Sequence, residues 1–156
     1  MTDGRLPKGE LTGGCYCGAV RYTIAPGWRL PVYACHCKDC QRRSGASFQL
    51  ALPILEKDLT VTGRLIEAHY VQPSGARVKA LACSACHTRL YVLNPNRPGL
   101  ANIRAGTLDD AASLSPAVHL WVRSKQPWIQ IPAGAYAMET EPSSPEEWLE
   151  IASRLE

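Results

Sequence analysis

The cysteines constrain this chain more than any other feature. All seven fall in three clusters: Cys15 with Cys17, then Cys35, Cys37 and Cys40 inside "CHCKDC", then Cys83 with Cys86. A disulfide framework calls for an even count and an oxidising compartment. The odd count and tight spacing predict metal sites instead, and thiolate donors favour zinc, with an iron–sulfur cluster as the chemical competitor. In an extended strand, residues two apart project to one face, so Cys15 and Cys17 can present two sulfurs to one ion, as can Cys35 and Cys37. Cys83-x-x-Cys86 has zinc-knuckle spacing. Seven thiols divide into four plus three. That is one closed tetrahedral site stapling a small fold, and one site with three protein ligands and an open position, the mark of a reactive metal. Spacing alone leaves open which site the Cys83–Cys86 pair completes.

The remaining sequence predicts a mainly β fold. Segments 19–25, 47–54, 59–71, 77–83, 88–94, 100–108 and 118–123 are rich in β-branched and aromatic residues, with Gly and Pro between them, as in "PSG" and "NPNRPG". That pattern suits antiparallel sheets rather than alternating βαβ units. One helix is expected, in "SPEEWLEIASRLE": Ser144 caps it, Pro145 opens it, Glu147 completes a capping box, and Trp148, Ile151 and Leu155 form its apolar stripe. The length suits one domain, read as an N-terminal extension (1–11), a metal-binding body (12–132) and an acidic C-terminal segment carrying the helix (133–156). No apolar run reaches the ~20 residues of a membrane span, and "MTDGRLPKGE" has no secretory-signal pattern, so a cytoplasmic protein is expected.

The formal charge of +3 conceals an asymmetry. Residues 139–156 hold six Glu and one Arg, which leaves +8 on residues 1–138. The basic body could attract an anionic ligand, but seven thiolates on two zinc ions would bring the total to about zero. The Lys and Arg residues are dispersed, with no basic stripe interleaved with aromatics, so nucleic acid is not an expected partner.

Four stretches, "GGCYCGAVRY" (13–22), "CHCKDCQRRSGA" (35–46), "CSACHTRLY" (83–91) and "GTLDD" (106–110) followed by "HLWVRSKQPW" (119–128), together resemble the glutathione-dependent formaldehyde-activating enzyme family, which includes centromere protein V. The resemblance runs over roughly residues 12–132. It implies an Mss4-like β-tent of small antiparallel sheets around the zinc sites, with the expected helix at its C-terminal end. It assigns Cys15, Cys17, Cys83 and Cys86 to a structural zinc, and Cys35, Cys37 and Cys40 to a second, catalytic zinc. Knuckles of that family usually continue with Gly after the last cysteine. This chain has His87 there, so a left-handed backbone is expected at a residue type that tolerates it better than most.

The implied activity is a carbon–sulfur lyase or synthase reaction: a glutathione-like thiol condenses with a formaldehyde-like aldehyde to an S-hydroxymethyl adduct, or the adduct cleaves in reverse. Zinc on three thiolates carries a formal −1 charge and suits a soft fourth ligand, which a substrate sulfur provides. Glutathione carries two carboxylates, and "QRRSG" follows the cluster at once. Arg42 and Arg43 are therefore candidates to bind them, with Gln41, Ser44 and Gly45 adding side-chain and backbone contacts. His36 sits between two ligands, faces away from them if the segment is a strand, and is expected to support the site rather than to ligate. No G-x-G-x-x-G fingerprint or phosphate loop is present, so no nucleotide cofactor is expected. The competing class is a non-enzymatic zinc scaffold whose β surface binds a protein partner, which predicts a protein group closing the three-cysteine site or no metal in it.

Overall fold

The computed structural model describes residues 7–155. Residues 1–6 of the expected extension and Glu156 of the expected helix lie outside them. The fold is mainly β. A three-stranded antiparallel sheet is ordered β1 (Leu11–Gly14), β2 (Arg21–Ile24) and β5 (Leu59–Thr62). The larger sheet comprises β3 (Tyr33–Cys35), β4 (Gln49–Leu55), β6 (Leu65–Val71), β7 (Arg77–Cys83), β8 (Arg89–Leu93), β9 (Leu100–Arg104), β10 (Val118–Leu120) and β11 (Tyr136–Ala137). Its eight strands run in the order β11-β10-β3-β4-β9-β8-β7-β6. Its neighbours are antiparallel except at β10, which runs parallel to both β3 and β11.

The expected segment 59–71 is two strands belonging to two different sheets, and Gly63 is the reason. It lies at φ 99°, a left-handed conformation open to glycine, and a Cβ there would sit 2.2 Å from the Ala19 carbonyl oxygen. The chain turns at this point from the small sheet into the edge strand of the large one. The segments expected at 100–108 and 118–123 are also shorter as strands. Each tightens into a 3-10 turn, at Ala105–Thr107 and at Val122–Ser124.

The main core lies between the sheets. Val20, Tyr22 and Ile24 from the small-sheet side meet Leu52, Ile54, Leu90, Ala101 and Ile103 from the large one. In β9 the alternation of "LANIR" places Ala101 and Ile103 in the core and Leu100, Asn102 and Arg104 on the opposite face. Each fully buried Ile or Leu contributes about 1.5–3 kcal/mol.

The acidic segment adds β11 to the large sheet and then α2 (Pro145–Ser153), whose Trp148 and Ile151 bury against Leu30, Val118 and Leu120. Leu155 completes the expected stripe from the rim of this second core. Trp148 also meets Tyr33 of β3, ring centroids 5.4 Å apart. Ser144 caps α2 by accepting from Glu147 N at 3.2 Å, but the Glu147 carboxylate accepts from Ser143 N and Oγ, one residue earlier than a simple capping box. A second helix, α1 (Lys38–Ser44), was not expected; it begins inside the middle cysteine cluster. Among the described residues no helix is long and apolar enough to cross a membrane.

Gly63→Ala is expected to lower the unfolding free energy by about 1–3 kcal/mol, from the strained φ and the contact with Ala19. Urea denaturation followed by tryptophan fluorescence measures it. A variant as stable as the parent would show that the turn between the sheets has freedom the geometry denies.

Candidate metal centres and the adjoining cavity

Cys15, Cys17, Cys83 and Cys86 bring their sulfurs within 4.8 Å of one another. They arrive from turns rather than from one extended strand. Cys15 and Cys17 follow β1 in a turn, while Cys83 ends β7 and Cys86 closes the next turn. The expected shared strand face is therefore not how the first pair converges. His87 takes the expected left-handed backbone, at φ 61°, and its N–H closes the knuckle onto Cys83 O at 3.0 Å. Val20 N donates to Cys15 Sγ at 3.2 Å and Ala85 N to Cys83 Sγ at 3.4 Å, contacts that stabilise thiolates. Thr88 Oγ1 lies 3.1 Å from Cys86 Sγ, and with its own N–H it pulls that thiol down to about 5.

The sulfurs fit a metal ion. A tetrahedral zinc with Zn–S bonds of about 2.3 Å holds its sulfurs about 3.8 Å apart. Cys15 and Cys17 Sγ are 3.6 Å apart, and Cys17 and Cys83 Sγ 3.9 Å. All seven cysteines are free thiols, so the clusters owe nothing to disulfides.

The second cluster is Cys35, Cys37 and Cys40, again with sulfurs within 4.8 Å. Cys35 ends β3, Cys37 is the N-cap of α1, and Cys40 lies in the helix's first turn. Cys37 Sγ caps the helix by accepting from Cys40 N at 3.3 Å. Hydrogen bonds from the Cys35 and Cys40 thiols, aided by the N–H groups of Cys40 and Asp39 and opposed by burial, draw Cys37 down to about 3. The same Cys37 and Cys40 contacts, together with burial, push Cys35 up. The trio thus holds negative charge readily on one sulfur, as a metal-binding thiol cluster must. Among the described residues no fourth Cys, His, Asp or Glu joins it.

His36 is turned away from that cluster. It is fully buried, and its Nε2 lies 3.0 Å from Nδ1 of His119 on β10. Gln41 and Ser124 both donate to His36 O, at 2.8 and 3.0 Å, fixing the backbone between Cys35 and Cys37. Burial, then the His119 and Lys125 charges, lowers His36 to about 4, so both rings are neutral near pH 7 and share one hydrogen bond.

A cavity of about 260 Å³ opens on the second cluster, over the face of the large sheet opposite the main core. Cys35, Cys37 and Cys40 line it at one side. Tyr33, Gln49, Asn102 and Arg104 project from the sheet, and Trp148 and Glu141 line it as well. Of the residues expected to touch substrate, Arg43 lines the cavity, its guanidinium stacked 3.3 Å from the centroid of the Tyr70 ring. Arg42 is exposed and is not among the lining residues. Gln41 is committed to His36 O and Ser124 O, Ser44 Oγ donates to Cys40 O at 2.7 Å, and Gly45 ends α1 at φ 68°. These last three shape the loop carrying the cysteines. Trp121 lines the cavity, whereas Trp128 is exposed.

Sequence reasoning missed Arg89, Arg97 and Arg104, which line the same cavity. Arg104 was legible in the alternation of β9. Arg89 was hidden by a bulge: Leu81 pairs with Tyr91, but Ala82 pairs with Arg89, leaving Leu90 as the extra residue. Unbroken alternation would place Arg89 on the core face beside Tyr91. Burial, then the Arg104 and Arg43 charges, holds the Arg89 guanidinium below its usual range.

The architecture defines a small β protein built around two thiol clusters able to hold metal ions. The model of the glutathione-dependent formaldehyde-activating enzyme family matches residues 10–124, and the chain belongs to that family. A Halomonas elongata protein whose name carries the same family description is 28% identical over 130 residues, covering 78% of this chain and 80% of that protein. A Rhodobacter sphaeroides protein known from a crystal structure aligns with a TM-score of 0.49 and 22% identity, covering 63% of this chain and 87% of that one.

The His36 shift carries a sign. The fold keeps the ring neutral down to about pH 4, while the unfolded chain protonates near the ordinary 6.5. Unfolding therefore takes up a proton between those values, and this contribution to stability is complete above pH 6.5 and declines as pH falls toward 4. Imidazole NMR shifts should show His36 titrating below pH 5. A midpoint near 6.5 would mean that the buried pair opens to solvent.

Proposed function

We propose that this protein is a zinc-dependent carbon–sulfur lyase that joins a glutathione-like thiol to a formaldehyde-like aldehyde, or cleaves the adduct. The observation that carries this reading is a three-sulfur cluster without a fourth protein ligand among the described residues, facing a cavity of about 260 Å³. Zinc bound there supplies the positive charge that keeps a substrate thiol ionised at neutral pH. Cys35, Cys37 and Cys40 hold the reacting sulfur's end of the cavity, and the walls orient the rest of the thiol toward the aldehyde. In the condensation the thiolate sulfur attacks the carbonyl carbon and the C–S bond forms. The carbonyl π pair passes to oxygen, which takes up the proton given by the thiol. Nothing is oxidised or reduced, and no nucleotide is required.

Cys15, Cys17, Cys83 and Cys86 hold the structural zinc in this reading. Its four thiols close the coordination sphere and leave no position for substrate. Seven unpaired thiols suit a reducing compartment, which supports a cytoplasmic location in this reading. A scaffold that used both metals structurally would need a protein group to close the second cluster, and the lack of one among the described residues favours the enzyme.

Elemental analysis of protein purified in reductant should find about two zinc ions per chain. Cys40→Ala should reduce this to about one and abolish S-(hydroxymethyl)glutathione formation, while the folded state persists. Cys83→Ala should also lose one zinc but unfold at a much lower temperature, because about 10 kcal/mol or more of apparent binding energy is coupled to folding at a structural site. A Cys40→Ala protein retaining both ions and full activity would defeat the proposal.

A further inference from the structure

Arg43, Arg89, Arg97 and Arg104 converge on the cavity from α1, β8, β9 and the turn before β9. Against them stand two lining carboxylates, Asp39 and Glu141, so the arginines outnumber the lining carboxylates by two. Among the described residues none of the four arginines forms an ion pair; the recorded pairs are elsewhere, on Arg21, His69, Lys79 and Arg154. Nε of Arg43 and Nε of Arg104 are buried without a hydrogen-bond partner. Arg89 has a single long contact, 3.5 Å to Gln49 Oε1. A sheet face that collects like charges within mutual influence, and leaves their donors unmatched, stores an electrostatic cost that an anion would relieve.

We infer that Arg43, Arg89 and Arg104 form a carboxylate seat that fixes the thiol substrate at its acidic end, selecting peptide-like acidic thiols over neutral ones. The inference rests on the reading that Cys35, Cys37 and Cys40 mark the sulfur end of the cavity. Arginine suits the task because its planar fork pairs with both carboxylate oxygens. Stacking on Tyr70 holds Arg43 in place, and two neighbouring strands carry Arg89 and Arg104, so the seat is built largely before the ligand arrives. The competing role for these charges is to offset the negative thiol cluster, since Arg104 and Arg89 lie within electrostatic range of Cys40. In that case their removal would act on the metal rather than on the ligand.

Calorimetry with S-methylglutathione separates the two, because that probe keeps both carboxylates and has no free thiol. Arg89→Gln and Arg104→Gln should each weaken its binding about tenfold, as expected for a lost charge-assisted contact, with metal content unchanged. The KM for glutathione should rise about tenfold more than that for 2-mercaptoethanol, which has no carboxylate. Glutathione diethyl ester should bind the unaltered protein about tenfold more weakly than glutathione, a comparison that needs no variant to fold. Unchanged S-methylglutathione affinity, equal penalties for both thiols, loss of metal in the variants, or an ester bound as tightly as the acid would each overturn the seat. If the unaltered protein binds S-methylglutathione through these arginines yet forms no adduct with formaldehyde, the seat stands and the condensation reading falls.

Discussion

Convergence of four sulfurs from two sheets is the constraint on which the rest of this structure depends. Cys15 and Cys17 follow a strand of the small sheet, Cys83 and Cys86 a strand of the large one, and their sulfurs meet within 4.8 Å. A metal held by these four sulfurs, as proposed above, would staple the main core. Cys15 and Cys83 are themselves buried in that core, packed with Val20, Leu90 and Leu108. With 65 residues between Cys17 and Cys83, such a link would close a long loop and restrict the unfolded chain accordingly. It would also help fix how the small sheet lies on the large one, whose other face carries the cavity.

The second cluster has the opposite character. Its three sulfurs come from six consecutive residues, the end of β3 and the first turn of α1. Ligands this close in sequence would close almost no loop, so a metal held there would add little to global stability. Its precision comes from its surroundings. The Cys37 cap, the Gln41 and Ser124 contacts to His36 O, and the buried His36–His119 pair hold the loop from behind, while the front faces the cavity. The two clusters thus differ in how far apart in sequence their sulfurs lie and in what surrounds them, and the roles proposed above rest on that difference.

Much of this was legible before any coordinates. The mainly β class, the strands at 77–83 and 88–94 and the C-terminal helix follow from composition and patterning, because buried β-branched runs and a capped amphipathic stretch are local signals. Other features were beyond local reading. The strand boundary at Gly63 depends on the Ala19 carbonyl, 44 residues away in sequence. The helix α1 was masked by its ligands: "CHCKDC" reads as a strand if Cys35 and Cys37 share a face, whereas Cys37 serves as a helix cap. Arg42 and Arg43 looked equivalent in sequence, and helical geometry separates them by about 100°, putting one in solvent and the other in the cavity. Arg89 required knowledge of a bulge, a backbone event without a residue-level signature here.

The charge asymmetry of the sequence becomes a spatial one. The acidic C-terminal segment does not trail from the body: β11 pairs with β10, and α2 seats Trp148 against Tyr33. This brings Glu141 and the start of α2 to the wall of a cavity whose sheet side is arginine-rich. A wall of one sign would attract any anion indiscriminately. A cavity lined by both signs instead rewards a ligand whose own charges are separated. The segment that looked like an acidic appendage thus supplies one of the cavity's two lining carboxylates.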